Sequence, residues 1–185
     1  SAAMQTDDPQ RMPWLLPDAG PLITLAYAGR LDLLLRPGWP LRLVDMVIHE
    51  LTRNATPTRD ALQAFIAEHQ PQVITTETFA HHEAQLRSAA QDPTRAPPRK
   101  AGLGELALQE AINRLALSDP PQPAVLLFED HKIAGTGFHL PRGTLRVSTR
   151  AFLLFLQDKG WLESAADVER QAVLAGRRFS ELRFP

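Results

Sequence analysis

Short apolar runs alternate with longer amphipathic segments from Trp14 onward. This alternation is typical of strands and helices in a layered α/β fold. Leucine and β-branched residues dominate the short runs, and a proline or an acidic residue directly follows most of them, which is typical of buried strands that end in turns or helix starts. Strands are therefore predicted at residues 14–16, 41–44, 72–76, 124–128 and 145–147.

The segments between these runs carry helix signals. Gly20-Pro21 suits the first turn of a helix, because proline lacks an N–H that the first turn would leave unbonded. The most regular segment covers residues 102–117, with an apolar face predicted from Leu106, Leu108, Ile112 and Leu115. Further helices are predicted after Asp45 and over about 56–69, 77–90, 151–156 and 164–175.

Length and composition fit one folded domain. The chain has 185 residues, 44% of them hydrophobic and 22% charged. We expect a tail over residues 1–13 and a single domain over 14–185. Its predicted architecture has three layers, with a central, mostly parallel, twisted sheet of four to five strands flanked by helices. The sequence shows neither a membrane-spanning run nor a signal peptide pattern, so a cytoplasmic location is expected.

Cysteine content and charge exclude several classes of site. The chain contains no cysteine, so disulfides, thiolate metal clusters and cysteine nucleophiles are ruled out. A net charge of −1 provides no overall basic field to attract a nucleic acid. Any metal must be bound by oxygen or imidazole, and any affinity for a polyanion must be local.

Acidic residues recur where the predicted strands and helices meet. Asp18 ends the first strand, the adjacent pair Glu129 and Asp130 ends the fourth, Glu105 lies in the first turn of its helix, and Glu50 lies in the helix after the second strand. Parallel strands place their carboxyl ends at one edge of a sheet, so these acids are predicted to converge there. Carboxylates gathered in one small volume repel each other unless cations neutralise them, and an oxygen cage favours Mg²⁺ or Mn²⁺.

Each acid also has an ordinary structural explanation. Asp18 could cap the first helix, and Glu105 complements the dipole of its own helix. Glu50 could be a solvated surface residue, and the pair after the fourth strand could be a plain exit into a turn. The joint placement of the acids, more than any one of them, is what favours a functional site.

The motifs around these acids resemble those of the PIN domain family, which are metal-dependent ribonucleases that include the toxins of VapBC-type toxin–antitoxin pairs. LPDAGPLITLAYAGRLDLL is similar to the opening motif, and VDMVIHELTR to the second. GLGELALQEAI is similar to a toxin-like version of the third motif, with glutamate in place of aspartate, and AVLLFEDHKIA resembles the fourth. The likeness covers about residues 15–162. Gly20 departs from it, since the family often has serine or asparagine there.

Carried over by position, the resemblance implies metal binding by Asp18, Glu105 and Asp130, with Glu129 as an additional ligand. The implied catalytic acids are Asp18, Glu50, Glu105 and Asp130, and the implied cofactor is Mg²⁺ or Mn²⁺. The implied activity is hydrolysis of RNA phosphodiester bonds, with a type II toxin as the biological setting and a small antitoxin protein as a partner. Apart from the resemblance, the apolar helix AFLLFL is expected to be core, with a partner-facing surface or a homodimer seam as the alternatives.

A basic, proline-rich loop precedes the third motif. Residues 91–100 contain three prolines together with Arg95, Arg99 and Lys100. These three cations are candidate RNA ligands, and a solvated loop explains them equally well.

Competing motifs are weaker. Gly102-x-Gly104-x-x-Ala107 fits a dinucleotide fingerprint, but the preceding residues are not a buried strand. The run His81-His82-Glu83 lacks the second histidine of a zinc protease helix and is interpreted as part of an exposed polar helix. The main functional alternative is a catalytically silent PIN-like module that binds RNA or a protein partner without cleaving RNA.

Overall fold

The computed structural model describes residues 11–98, 101–129 and 139–178, in which strands alternate with helices as predicted. The strands are β1 (Trp14–Pro17), β2 (Arg42–Val44), β3 (Gln72–Ile74), β4 (Ala124–Phe128) and β5 (Thr144–Ser148). The helices are α1 (Ala19–Tyr27), α2 (Asp45–Thr52), α3 (Arg59–His69), α4 (Glu77–Gln91), α5 (Leu103–Leu117), α6 (Thr149–Asp158) and α7 (Ala165–Leu174), and a 3₁₀ helix covers Leu31–Leu35. None of the helices in these ranges has the length and apolar character that a bilayer crossing needs.

The strands pair in parallel. One sheet has the order β1-β4-β5, and β2 pairs with β3 in a second sheet. Pro17 lies opposite Leu127, and Leu127 opposite Val147, so the carboxyl ends of β1, β4 and β5 meet at one edge. Helices α1 and α6 pack against β4. The predicted α/β class with a parallel sheet is confirmed.

The central sheet is smaller than the predicted four to five strands. It has three strands. Leu41, just before β2, forms an isolated bridge with Leu15 of β1, and the Leu15 N–H donates a 2.9 Å hydrogen bond to the Pro40 carbonyl. The next residue of β1 that faces β2 is Pro17, which has no N–H to donate. The ladder therefore stops after one rung, and β2 and β3 form a separate pair.

Helix α5 packs by a slightly different face from the predicted one. Leu108, Ile112 and Leu115 are buried as expected, but Leu106 is 56% exposed. Ala107 is buried in its place. Positions 108, 112 and 115 follow the helical repeat, and 107 adjoins them on the same face whereas 106 does not.

The histidine pair on α4 also differs from the predicted exposed helix surface. His81 is exposed, but His82 is 1% exposed and its ring lies edge-on to that of His49 on α2, with centroids 5.5 Å apart. Adjacent residues on a helix point about 100° apart, so one of the pair can face the core while the other faces solvent. The prediction was wrong for His82.

Asp45 connects the ends of the two strands in the smaller sheet. Its Oδ1 accepts hydrogen bonds of 2.7 Å from the Met46 N–H and the Thr76 hydroxyl, and its Oδ2 accepts one of 2.7 Å from the Thr76 N–H. Thr76 is in turn the N-cap of α4 and accepts from the Phe79 N–H. One carboxylate thus fixes the start of α2 against the start of α4.

Candidate active site

Asp18 occupies the turn between β1 and α1 and is 2% exposed. Its N–H donates to the Leu127 carbonyl at 2.9 Å, which holds the end of β1 beside the end of β4. Its Oδ1 accepts from the Ala19 N–H at 2.7 Å, so the residue is also the N-cap of α1. The capping role and the position at the sheet edge are compatible, since a carboxylate has a second oxygen.

Glu129 follows directly after β4 and is 4% exposed. Its Oε1 accepts a short hydrogen bond from the hydroxyl of Thr24 on α1 and lies 3.9 Å from Nη2 of Arg177. The Nε of Arg177 donates to the same Thr24 hydroxyl at 3.1 Å. The buried carboxylate is therefore bound within a three-residue network whose positive charge comes from the segment after α7.

Gly20 makes room for Glu129. A Cβ at position 20 would lie 2.4 Å from the Glu129 Cγ, far inside van der Waals contact. A side chain at this position could therefore coexist with Glu129 only if one of the two moved.

Glu50 and Glu105 lie at a second meeting point, between α2 and the start of α5. Oε1 of Glu50 accepts from the Gly104 N–H at 3.0 Å. A Cβ at Gly104 would lie 2.8 Å from Oε2 of Glu50, so glycine permits this approach. Glu105 is the next residue and is partly buried in the first turn of α5. By accepting from the Gly104 N–H, Glu50 also satisfies one of the N–H groups that the start of a helix leaves without a partner.

A cavity of about 490 Å³ lies next to Glu50. Its lining includes Glu50 and Arg177, and Arg177 also reaches Glu129, which is not itself part of the lining. The structure thus places Asp18 and Glu129 at the ends of the adjacent strands β1 and β4, and Glu50 against the first turn of α5, which carries Glu105. Asp130 lies outside the described residues.

The acidic side chains of this site offer carboxylate oxygens as ligands to a metal. Within residues 11–98, 101–129 and 139–178, no three histidine or acidic side chains lie close enough together to form a metal-binding group. Asp18 and Glu129 are nevertheless buried carboxylates at neighbouring strand ends, and hard carboxylate oxygens suit Mg²⁺ or Mn²⁺ better than softer metals. The donor set is therefore chemically suitable, and further ligands would have to come from Glu50, Glu105 or Asp130.

The proposed RNA-binding loop is only partly described. Arg95 is exposed, with its Nε 3.8 Å from Oδ2 of Asp92, and it lines a groove against α4 that includes His81 and Gln85. Arg99 and Lys100 lie outside the described residues. The described part of the loop therefore packs along α4, and the role of its cations stays a prediction.

Thr24 and Arg177 were not predicted as site residues. Thr24 is the one threonine of the mostly apolar helix α1, where it is 1% exposed. Arg177 is one of many arginines, and it lies 48 positions beyond Glu129 in the chain. The only indication in the sequence was Thr24 itself, a polar residue on the apolar face of a predicted helix. A buried hydroxyl needs a hydrogen-bond partner, so its position predicts one.

Comparisons with known proteins show a similarity of fold to solved structures. No protein-family model and no curated protein matches the chain. Among solved structures, the chain is similar to the T. brucei RRP44 PIN domain, with a TM-score of 0.47 and 15% sequence identity. The similarity covers 80% of this chain and 83% of that chain. At this identity and TM-score it carries no conclusion about activity or partners.

Proposed function

We propose that the protein is a metal-dependent endoribonuclease that hydrolyses RNA phosphodiester bonds with Mg²⁺ or Mn²⁺. The observation that carries this proposal is the pair of buried carboxylates, Asp18 and Glu129, at the ends of two adjacent parallel strands. The burial of a carboxylate must be offset by hydrogen bonds or positive charge; Thr24 and Arg177 provide this at Glu129, and a bound cation would add to it at both acids. The motif resemblance independently assigns metal binding to the same positions.

In this proposal, the position of each residue determines its role. Asp18, Glu105 and Asp130 would hold the metal, with Glu129 as an additional ligand. A divalent ion held by these residues would lower the pKa of a water molecule and offset negative charge on the phosphate. Asp18 is oriented by its bond to the Ala19 N–H, and Glu50 is oriented by its bond to the Gly104 N–H. We assign to Glu50 the orientation of the attacking water.

The direct test is cleavage of an unstructured RNA in Mn²⁺ or Mg²⁺, with and without EDTA. Asp18→Asn should lower the cleavage rate by about 100-fold or more, since it removes a metal-binding charge while keeping an acceptor for the Ala19 N–H. Glu83→Gln, an exposed acid on α4, is the matched control and should cleave normally. Cleavage that persists in EDTA, or a fully active Asp18→Asn, would refute the proposal.

Metal binding can be tested separately from activity. Mn²⁺ should raise the melting temperature of the native chain, because a ligand that binds only the folded state stabilises it by mass action. The same titration on Asp18→Asn should give a smaller rise. An equal rise in both proteins would remove Asp18 from the ligand set.

One observation favours the second candidate, a silent module that binds RNA without cleaving it. Glu129 is already bound by Thr24 and Arg177, so one of the expected ligands has a protein partner. RNA binding by the native chain with no cleavage at any Mn²⁺ or Mg²⁺ concentration would select this candidate over the nuclease.

The biological setting that we propose is the toxin of a type II toxin–antitoxin pair. Induced expression in a bacterial host should then arrest growth, whereas Asp18→Asn should not. Coexpression with a small protein encoded beside it should restore growth and yield a complex on purification. Normal growth while the soluble native protein accumulates would rule out the toxin role but leave the ribonuclease proposal standing.

A further inference from the structure

A mixed polar and aromatic cavity lies beside the candidate active site, between α1, the connection from α2 to α3, and the segment after α7. We call it the Tyr27 cavity, and its volume is about 490 Å³, within the roughly 300–1,000 Å³ typical of ligand sites. Its lining includes Tyr27, Glu50, Thr56, Arg177 and Arg178. The lining therefore combines an aromatic residue, two arginines, an acid and two threonines with the apolar residues Ile23, Leu51 and Pro57.

The segment after α7 is shaped to bring its arginines there. Gly176 has a φ of +117°, a conformation that other residues rarely adopt. The Arg177 N–H donates to the Ala172 carbonyl at 2.9 Å, which fixes the turn. A Cβ at Gly176 would lie 3.6 Å from Cε1 of Tyr27, so this turn passes alongside the ring. The next two residues, Arg177 and the exposed Arg178, line the cavity.

We propose that the Tyr27 cavity is a binding subsite for one nucleotide of a single-stranded RNA, with the base against the Tyr27 ring and the phosphate on the side of Arg178. An aromatic ring stacks on any base, and guanidinium groups bind phosphate through paired hydrogen bonds. The net charge of −1 means that such affinity must be local, and the exposed Arg178 is its source in this proposal, because Arg177 is already paired with Glu129.

The position of the cavity connects binding to chemistry. Glu50 lines it, and Arg177 in its wall reaches Glu129 at 3.9 Å. A nucleotide seated there would place a neighbouring phosphodiester at the acidic site. The inference rests on the proposed function for its choice of RNA as substrate, but the binding itself needs neither metal nor cleavage.

The test is therefore a binding measurement without turnover. A short fluorescent oligouridylate is titrated with the Asp18→Asn protein in EDTA, and each further substitution is added to that background. Tyr27→Ala should weaken binding about tenfold, and Tyr27→Phe should restore it, because stacking needs the ring and not the hydroxyl. Arg178→Ala should weaken binding and lower the slope of log Kd against log salt by about 0.7. Arg142→Ala, an exposed arginine before the amino end of β5, is the control and should leave Tyr27-dependent binding intact.

The single tyrosine of the chain gives a second readout that is insensitive to overall charge. With 3-fluorotyrosine incorporated, the protein has one ¹⁹F resonance, which should shift on addition of oligouridylate in the Asp18→Asn background. Poly-glutamate, a polyanion without bases, should not shift it. An unchanged resonance with RNA, equal shifts with both polymers, or full affinity in Tyr27→Ala would each overturn the inference.

The outcomes separate this inference from the ribonuclease proposal. Binding that depends on Tyr27 and Arg178, with no metal-dependent cleavage by the native chain, would support the subsite and refute the nuclease. Cleavage that is unaffected by substitution of both residues would refute the subsite and support the nuclease.

Discussion

At the scale of single residues, the contact between Gly20 and Glu129 is the most sensitive feature of the site. Alanine normally stabilises a helix by about 1 kcal/mol relative to glycine. At position 20, however, its Cβ would lie 2.4 Å from the Glu129 Cγ. Gly20→Ala should therefore lower the free energy of unfolding by about 1–3 kcal/mol, measured by urea denaturation, because the buried carboxylate must leave its network.

A double-mutant cycle isolates this cause. In a Glu129→Ala background the Cγ is absent, so adding Gly20→Ala should be neutral or stabilising. An equal loss of stability in both backgrounds would show that Glu129 does not restrict position 20.

The sequence indicated the acids at the strand ends but not their partners. Asp18 and Glu129 could be placed because each follows an apolar run, and the end of a run is a local feature. Thr24 and Arg177 bind Glu129 from positions 105 and 48 residues away, and such pairings depend on how α1 and α7 pack. Single-residue chemistry could not select one arginine among many, since any of them is able to bind a carboxylate.

At the scale of elements, α5 fixes the start of α4 through one carboxylate. Glu110 accepts hydrogen bonds from the N–H groups of Glu77 and Thr78 and from the Thr78 hydroxyl, and it pairs with Arg114 at 2.8 Å. Burial alone would raise the pKa of Glu110, but these bonds and the Arg114 charge outweigh it and hold the pKa below the usual 4.5. The ionised form is thus the one that stabilises the contact.

The pH dependence of stability follows from that direction. A depressed pKa in the folded state adds stability above about pH 4.5 and loses it as the pH falls through the folded-state pKa. Glu110→Gln should cost about 1–2 kcal/mol at pH 7, and the difference from the native chain should shrink below pH 4.5. Urea denaturation across this pH range measures it, with the exposed Glu83→Gln as the control. A difference that stays constant with pH would contradict the assignment.

Element boundaries were predictable where a local pattern sets them. The sequence predicts that Pro17 ends β1. It does not predict that Pro17 stops the pairing of β1 with β2, because the neighbour that Pro17 faces depends on the order of the strands. The same reasoning applies to α5: periodicity identified a helix, but whether Leu106 or Ala107 faces the core depends on how α5 packs against α2 and α4.

At the scale of the whole molecule, Arg177 joins the end of the described chain to the centre of the sheet edge. Helix α7 packs against α1 and α6, and Arg177 continues that contact to Glu129. Removing one partner of a largely buried ion pair leaves the other charge uncompensated. Arg177→Met should lower the free energy of unfolding by about 3 kcal/mol, and Glu129→Gln in the same chain should recover part of the loss. No recovery in the double variant would show that the cost of Arg177→Met does not come from Glu129.

The same ion pair makes a prediction about metal binding, on the premise that the acidic site binds a divalent cation. Arg177 and a cation would compete for Glu129, since both are positive and each is favoured by the carboxylate charge. Mn²⁺ should therefore raise the melting temperature of Arg177→Met by more than it raises that of the native chain, although the variant melts at a lower temperature without metal. Arg170→Met is the matched control, because Arg170 pairs with Asp167 on the exposed face of α7 and should leave the Mn²⁺ response unchanged. A smaller Mn²⁺ response in Arg177→Met would instead show that the guanidinium organises the acidic site for the metal, and the competition argument would be wrong.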